Sequence, residues 1–495
     1  MNEVKKNFWS SANWTCPAGV TSIYIGVVNS FSAANTVWNP NGSVIFKSSN
    51  SSCYSVGNNT NGMLGDGTVI NKSSPVSIIG SIQNFSRIFL SAATSIGLDS
   101  RGVAYAWGTN GTGQLGIGDT TNRSSPVLIS GNLTFLDISC TSIRQYALTD
   151  KLKLYSWGAN SNGEIGDGTL IAKSFPVAVS GNYSVRNYNI GFGNSIGNHV
   201  ALVTTSGAGY SWGSNTYGQL GVGDTIKRSS PVSILGGITW SKIFSGDSFF
   251  GLDMDGNLYA WGDNSYGQLG VGDVIPRSSP VLVLGGVKFN DIIVGGSSPI
   301  ALDKNGRVYA WGNNPYGIGQ NPYSPYNASS PIVVLGDLTF NKVKGDFAFV
   351  CGLTEDGKLY TWGNNYQGQL GIGSTIATST PVEVMGGIKW IDFEVGYNTV
   401  FGISTTGKFY SWGYNNYGQL GLGDTVNRSS PVAILGDFGA NLVATNIVGS
   451  DNKLSKFSVT PGTTYEIIVG SGISMFNNIP LAYGKIERLE MYYTV

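Results

Sequence analysis

The stretch YSWGYNNYGQLGLGD, residues 410–424, decides the fold of this chain. Four of its residues are glycine and it ends in an aspartate, a composition typical of loops that bind phosphate through backbone N–H groups. Such a loop must follow a strand, open a helix and carry a lysine for the phosphate. No helical apolar period follows residue 424, and the stretch contains no lysine. It is therefore predicted to be a structural turn.

The same stretch recurs along most of the chain. The tryptophan of its Tyr-x-Trp-Gly phrase returns every 49 to 55 residues, at positions 107, 157, 212, 261, 311, 362 and 412. A first copy has Val56 in place of the tryptophan, so the chain contains eight modules. Each module holds about four strand-like runs of five or six residues, and pairs such as Asp255-Gly256 mark hairpin turns between them.

Tandem four-stranded units of this length predict an all-β protein with a β-propeller fold. An open solenoid is the weaker alternative, because its repeats need only about 20 to 45 residues. The Ser-Ser-Pro-Val phrase, as at Ser73–Val76, starts a further strand of the unit at a position where proline is tolerated. The eight modules allow either seven or eight blades, since the first module matches the others imperfectly.

The module resembles a known repeat. Its phrase Asp-Gly-x-x-Tyr-x-Trp-Gly-x-Asn, followed by Gly-Gln-Leu-Gly-x-Gly-Asp, is similar to the repeat of the regulator of chromosome condensation family. The resemblance covers roughly residues 31–436 and implies a partner-binding propeller, usually one with seven blades. Kelch repeats of similar length are marked by adjacent glycines ahead of the Tyr and Trp, and that pattern does not match this chain.

The two chain ends differ from the repeats and look like parts of one small β-module. Residues 14–23 read WTCPAGVTSI and residues 459–470 read VTPGTTYEIIVG. Both phrases resemble a small glycine-rich β-domain of bacteriophage tail-fibre and appendage proteins, in which they lie close together along the chain. The ends of a closed propeller are also close in space. We therefore predict a propeller at residues 31–436, inserted between residues 1–30 and 437–495 of that module.

The charge balance argues against nucleic acid and membrane partners. Lys plus Arg and Asp plus Glu each number 29, so the formal net charge is zero, and only 12% of residues are charged. The chain as a whole therefore lacks the excess of positive charge that is typical of nucleic-acid-binding proteins. No uninterrupted apolar run of about 18 residues occurs, and the first residues lack the apolar core of a secretory signal. We expect neither membrane insertion nor export.

The residue pattern gives catalysis and metal binding little support. His199 is the single histidine and has no nucleophile motif or paired carboxylates beside it. The four cysteines are far apart and are expected to be buried thiols; they are Cys16, Cys53, Cys140 and Cys351. In four modules an aspartate ends the glycine tract, at positions 119, 224, 273 and 424. Each is expected to cap its turn rather than bind calcium. No enzyme activity, cofactor or metal is predicted.

Surface recognition is the remaining role, and tyrosines are its candidate residues. One tyrosine precedes a glycine at the same place in four modules, at Tyr217, Tyr266, Tyr316 and Tyr417. These side chains are expected either to line one rim and contact a protein or glycan, or to pack against the next blade. The sixth module breaks the pattern between residues 317 and 327, where Tyr323 and Tyr326 are further candidates.

These observations predict a non-enzymatic structural or adhesion protein of a bacteriophage particle, of the tail-fibre, appendage or decoration type. Its partners would be other virion proteins and a host surface receptor or glycan, and homo-oligomers are compatible with this role. The chain would be made in the host cytoplasm and built into the virion. The repeat resemblance supports an alternative, a partner-binding propeller that acts as a guanine-nucleotide exchange factor or an enzyme inhibitor.

Overall fold

The computed structural model describes most of the repeat region and short strands at both chain ends. The described residues are 3–8, 12–15, 22–29, 43–47, 53–79, 85–91, 93–190, 199–246, 248–295, 297–313, 327–334, 336–345, 349–396, 398–406, 408–434, 443–444, 455–458, 464–468, 473–476, 479–483 and 486–494. Their regular structure consists of strands joined by turns. No helix among these residues is long and apolar enough to cross a membrane.

Seven four-stranded antiparallel sheets follow one another along the chain, each formed by four consecutive strands. The first three are β7 (Phe85–Leu90), β8 (Thr94–Asp99), β9 (Ala104–Gly108), β10 (Arg123–Leu128); β11 (Phe135–Cys140), β12 (Arg144–Thr149), β13 (Leu154–Gly158), β14 (Lys173–Ala178); and β15 (Val185–Ile190), β16 (His199–Thr204), β17 (Gly209–Gly213), β18 (Arg228–Ser233). The next two are β19 (Trp240–Ser245), β20 (Ser248–Asp253), β21 (Leu258–Gly262), β22 (Arg277–Leu282); and β23 (Phe289–Gly295), β24 (Ser298–Asp303), β25 (Val308–Gly312), β26 (Ala328–Val333). The last two are β27 (Lys342–Gly345), β28 (Phe349–Leu353), β29 (Leu359–Gly363), β30 (Thr378–Glu383); and β31 (Trp390–Gly396), β32 (Thr399–Ser404), β33 (Phe409–Gly413), β34 (Arg428–Ala433). Where neighbouring sheets meet, the first strand of one contacts the first and second strands of the sheet before it, as β19 contacts β15 and β16, so the first strand of each blade is innermost.

An eighth sheet joins the two ends of the repeat region. Its strands, in order, are β35 (Val443–Ala444), β4 (Ser43–Lys47), β5 (Cys53–Gly57) and β6 (Lys72–Ser77). The N–H of Gly423 in the last module donates to the carbonyl of Ser73 at 2.9 Å, and Val56 packs in one cluster with Phe401 and Leu420. The prediction of an all-β propeller is therefore confirmed. Seven blades use consecutive strands, and a composite sheet made from both ends of the repeat region closes the ring.

Strands from the two chain ends form two further four-stranded sheets. In one, β40 lies between β1 and β3, and β36 pairs with the other edge of β3; their bounds are β1 (Glu3–Phe8), β3 (Ser22–Asn29), β36 (Ser455–Ser458) and β40 (Ile486–Thr494). In the other, the order is β2 (Ala12–Thr15), β37 (Thr464–Ile468), β38 (Ile473–Phe476) and β39 (Ile479–Tyr483). Backbone pairing thus joins the beginning of the chain to its end. The kinship of these sheets with a phage domain stays a prediction.

The opening stretch forms the joint between neighbouring blades. Trp412 is fully buried, and its indole Nε1–H donates to the backbone carbonyl of Gln369 in the preceding module at 3.0 Å. Leu420 is also buried, and the Ser411 hydroxyl donates to its carbonyl at 2.7 Å. The same indole bond recurs at Trp107, Trp157, Trp212, Trp261 and Trp311. Each of these tryptophans therefore fixes its own blade to the loop of the blade before it.

The aspartate at the end of the stretch caps the following turn, as the sequence predicts. Asp424 Oδ1 accepts the backbone N–H of Val426 at 3.0 Å and the side-chain amide of Asn415 at 3.2 Å. The Val426 N–H and the Arg428 guanidinium hold the pKa of Asp424 below its usual range. Equivalent caps occur at Asp119, Asp224 and Asp273. The repeated acid is thus a structural part of each blade.

Candidate functional site

The antiparallel blades give the ring two unlike ends. One end, the loop face, carries the connections between first and second strands and between third and fourth strands. The other end, the turn face, carries the connections between second and third strands and between successive blades. The hairpin turn at Asp255-Gly256 lies on the turn face, whereas the long segment 263–276 between β21 and β22 lies on the loop face.

Three of the predicted tyrosines occupy equivalent places on the loop face. The backbone N–H of Tyr266 donates to Gln268 Oε1 at 2.8 Å, and the same contact holds Tyr217 and Tyr417. Tyr266 is 43% exposed, while Tyr217 and Tyr417 are half-buried. Their role in binding stays a prediction. The other three predicted residues, Tyr316, Tyr323 and Tyr326, lie outside the described residues.

Two further tyrosines on the same face were missed by the sequence interpretation. Tyr366 is 68% exposed and stands one position ahead of the repeated tyrosine. Tyr414 meets Tyr417 edge to face, with ring centroids 6.1 Å apart and an interplanar angle of 73°. Aligning the modules position by position would have shown these additional aromatic residues. Tyr366 extends the aromatic surface of the loop face to the seventh module, and Tyr414 enlarges it in the eighth.

Two places where the repeat departs from its usual pattern lie between strands that meet at the loop face. The strands that flank residues 191–198, β15 and β16, end and begin at this face. The strands that flank residues 314–326, β25 and β26, do the same. Both of these departures are thus flanked by strand ends at the end of the ring that carries the tyrosines, and loops on a rigid scaffold are where binding residues usually lie.

A set of exposed aliphatic side chains lies just after the glycine tract of six modules, on the same face. We call it the aliphatic crown; it comprises Val69, Ile70, Leu170, Ile171, Ile226, Val274, Ile275, Ile376 and Val426. Between 51% and 74% of each residue is exposed to solvent. The crown carries no strand or helix periodicity, because it lies at turn tips, and the sequence interpretation therefore missed it. Only comparison of surface exposure between equivalent turns reveals it.

The structure shows no metal-binding or reactive thiol cluster in the part of the chain that it describes. There, no group of three or more His, Cys, Asp or Glu side chains is placed to hold a metal ion. Cys53, Cys140 and Cys351 are buried free thiols, as predicted, and Cys16 lies outside the described residues. Burial raises the pKa of the Cys140 and Cys351 thiols well above its ordinary value, which disfavours the nucleophilic thiolate form.

His199 lies buried near an ion pair beneath the loop face. It is 1% exposed, and its ring lies 4.6 Å from the ring of Phe249 in the next blade. Arg144 and Glu164, both buried, form an ion pair in the preceding blade with Nη1 and Oε1 2.5 Å apart. Burial, reinforced by the charge of Arg144, lowers the pKa of His199 to about 3. At physiological pH the imidazole is therefore neutral and packs as an aromatic ring.

Replacing His199 with glutamine will flatten the acid side of the stability profile. The unfolded histidine binds a proton near pH 6.5 and the folded one only near pH 3, so acidification through this window favours the unfolded state. By pH 4 the loss is on the order of 3 kcal/mol. Urea unfolding of wild type and His199→Gln at pH 7.5 and pH 4 measures the difference. Parallel losses in the two proteins would contradict a buried neutral imidazole.

Comparison with known proteins agrees with this geometry. Five stretches match the family model described as "Regulator of chromosome condensation (RCC1) repeat", at residues 101–142, 206–251, 255–302, 356–403 and 406–447. A second model of the same repeat matches residues 241–268, 295–318 and 390–419. The propeller is built from RCC1 repeats. The repeat predicted from the Tyr-x-Trp-Gly phrase is thus confirmed.

Known relatives of this RCC1-repeat propeller cover it only in part. The ultraviolet-B receptor UVR8 of Arabidopsis thaliana is 30% identical over 294 residues, which span 58% of this chain and 66% of the receptor. Human WBSCR16 is 22% identical with a TM-score of 0.55, and the match covers 72% of this chain and 96% of that one. Prp20p of Saccharomyces cerevisiae is 17% identical with a TM-score of 0.53, covering 83% and 90%. The structural matches establish a shared fold.

Proposed function

We propose that this chain is a non-enzymatic binding scaffold of a bacteriophage particle, of the tail-fibre, appendage or decoration type. In this proposal the propeller contacts its partner through the loop face. The observation that carries the proposal is the exposure of aromatic and aliphatic side chains in the loops of several modules, all on that one face. Tyr266 is 43% exposed, Tyr366 68% and Ile376 74%.

The chemistry of the loop face suits protein contacts. A tyrosine offers a large apolar ring with a polar hydroxyl and loses little conformational freedom on binding, so it is enriched in interface hot spots. In three modules the backbone N–H of the tyrosine donates to the side chain of a glutamine two residues later, and this bond fixes the tyrosine backbone in the same way each time. The backbone N–H of Tyr366 instead donates to Asn364 Oδ1 at 3.0 Å, so Tyr266 and Tyr366 are both presented from loops held by local hydrogen bonds.

The proposal that the chain belongs to a bacteriophage particle rests on the two chain ends. Strand β40 pairs with both β1 and β3, and β2 pairs with β37, so both ends contribute to the same sheets. Such shared sheets hold together the two chain ends between which the propeller lies in the sequence. With the resemblance of these ends to tail-fibre and appendage domains, they support partners among virion proteins and a host surface receptor or glycan. No enzyme activity, cofactor, nucleic acid or membrane insertion forms part of the proposal.

RCC1-repeat relatives support partner binding in general. Yeast Prp20p is described with its binding to Gsp1p and histones, and yeast RCC1 has been solved bound to Kap60. The repeat alone therefore also supports the alternative of an exchange factor or an enzyme inhibitor. Accelerated nucleotide release from a small GTPase, in the presence of purified chain, would favour exchange activity over the particle proposal.

The proposal is tested by locating the chain in lysates of the phage-producing cells. Density-gradient fractions should contain the chain in the particle band, detected with an antibody against it. A variant with Tyr266→Ala and Tyr366→Ala should lose at least about tenfold in particle-bound chain, since each hot-spot tyrosine contributes on the order of 2 kcal/mol. Met254→Ala is the matched control, because Met254 is 52% exposed on the turn face. Detection only in the particle-free fraction would contradict the proposal.

A further inference from the structure

We propose that the loop face binds a neutral glycan at the junction between the seventh and eighth modules. The inference rests on the proposed function, since it uses the same face, and it names the chemical class of a ligand there. The residues concerned, which we call the amide patch, are Tyr366, Gln367, Tyr414, Asn416, Tyr417 and Asn427. They are contiguous, they carry no charge, and they combine tyrosine rings with amide side chains.

Hydrogen bonds between the two long loops make the amide patch contiguous. Asn427 Nδ2, in the eighth module, donates to Gln367 Oε1, in the seventh module, at 2.6 Å. Asn427 Oδ1 accepts the backbone N–H of Asn415 at 2.8 Å. Tyr366 directly precedes Gln367 in the chain, and Tyr414 directly precedes Asn415. A short series of covalent and hydrogen bonds therefore connects the tyrosines of the two modules.

Three tyrosines supply aromatic rings to this surface. Tyr366 is 68% exposed, and Tyr414 and Tyr417 are half-buried with their rings edge to face. The Tyr366 N–H donates to Asn364 Oδ1 at 3.0 Å. The Tyr417 N–H donates to Gln419 Oε1, also at 3.0 Å. A sugar ring has an apolar C–H face that stacks on an aromatic ring, and loops that are already held in place lose little freedom when they bind it.

The long loop of the seventh module is uncharged from end to end. Residues 364–378 read NNYQGQLGIGSTIAT and contain no Asp, Glu, Lys or Arg. Ser374 and Thr378 stand there in place of Asp424 and Arg428 of the eighth module. Asp424 and Arg428 form an ion pair with each other, with Oδ2 and Nη2 2.5 Å apart. Within these two loops, both of which the structure describes in full, no charge is left unpaired, and this favours a neutral ligand over an ionic one.

The amide side chains match the hydroxyl groups of a sugar. A hydroxyl both donates and accepts, and an amide has two N–H donors and two acceptor lone pairs. Asn416 is exposed, and the bond between Asn427 and Gln367 uses only one donor of the first and one lone pair of the second. Protein interfaces are enriched in arginine, and the amide patch has no carboxylate to receive one. A neutral glycan is therefore the ligand class that fits best.

Binding of the purified full-length chain to a printed array of oligosaccharides tests this inference. The array carries neutral oligosaccharides of hexoses and N-acetylhexosamines beside acidic ones that contain uronic or sialic acid. The wild type should bind at least one neutral oligosaccharide equally well at about 50 mM and about 500 mM NaCl, because no ion pair contributes. Binding confined to the acidic oligosaccharides, or no binding at all, would overturn the inference.

Single substitutions locate the site. Tyr366→Ala and Tyr417→Ala should each weaken binding of that neutral oligosaccharide at least about tenfold, while Tyr366→Phe, which keeps the ring, should retain most of it. Tyr266→Ala is the matched control, since Tyr266 is an exposed tyrosine of the fifth module on the same face, and it should bind as the wild type does. Circular dichroism and thermal unfolding should be unchanged in all four variants. Full binding without either ring, or equal loss in the control, would contradict a site at this junction.

The inference and the proposed function fail in different ways. Glycan binding by a chain that is absent from the particle band contradicts the proposed function alone. A chain in the particle band that binds no neutral oligosaccharide overturns the inference alone. A partner held through Tyr366 and Tyr417 that stays bound after periodate oxidation of its sugars would be bound as a protein, and this result would also overturn the inference.

Discussion

Replacing Gly221 with alanine will destabilise the propeller by about 2 to 5 kcal/mol, the sum of a backbone and a packing penalty. Gly221 has a φ of +68°, a left-handed conformation that costs an L-residue about 1 to 2 kcal/mol. An added Cβ would lie 2.7 Å from Trp261 Nε1 and 3.0 Å from its Cδ1. This indole cannot move aside, because it is fully buried and donates to the Gln219 carbonyl at 2.9 Å.

Gly237→Ala provides the control for backbone strain alone. Gly237 has a φ of +60°, and a Cβ built there meets nothing within 4 Å. This variant should lose only about 1 kcal/mol, as expected for the left-handed conformation without a clash. Urea titration followed by tryptophan fluorescence measures both variants. Equal losses would show that close packing of the glycine tract against the next tryptophan does not hold neighbouring blades together.

Replacing Lys344 with methionine will cost about 3 to 5 kcal/mol, because it leaves a buried carboxylate without its counter-ion. Lys344 of β27 and Glu394 of β31 form an ion pair between the innermost strands of neighbouring blades, and both are buried. Burial raises the pKa of Glu394 to about 7, although Lys344 and Lys342 lower it. Without Lys344 the pKa of Glu394 will rise further, so the Glu394 carboxylate will take up a proton when the chain folds.

The sign of the pH dependence follows from this uptake. When the pKa of a carboxyl group is higher in the folded than in the unfolded state, the free energy of unfolding falls as pH rises from the unfolded pKa of 4.5 through the folded pKa. Lys344→Met should therefore be less stable at pH 8 than at pH 5. Adding Glu394→Leu should restore most of the loss at pH 8, since an apolar pair can replace a buried ion pair. A double variant as unstable as the single one would contradict this account.

The parts of the fold that depend on repetition could be predicted from sequence. Trp412, Gly413 and Leu420 belong to a phrase that recurs, with substitutions, along the eight modules, and recurrence at about 50 residues allows few architectures other than a propeller. The capping role of Asp424 followed from the same phrase, because a lone acid beside glycines at each turn cannot collect the oxygens that calcium needs.

The parts that depend on contacts between modules could not be predicted in this way. Lys344 and Glu394 stand 50 residues apart and meet only because neighbouring blades place their innermost strands side by side. The burial of His199 likewise depends on Phe249 in the next blade. On the loop face, exposure rather than residue type distinguishes Tyr366 and the aliphatic crown, and exposure at a turn tip leaves no periodic pattern.

Lysine acetylation of the chain in its native assembly, compared with the dissociated chain, tests partner binding at the loop face most directly. Lys227 lies beside Ile226 on the loop face, whereas Lys151 and Lys304 lie in hairpin turns on the turn face, and all three are exposed. The account predicts that assembly protects Lys227 at least about tenfold and leaves Lys151 and Lys304 reactive. Protection of Lys151 and Lys304 with a reactive Lys227 would place the partner on the opposite face and contradict it.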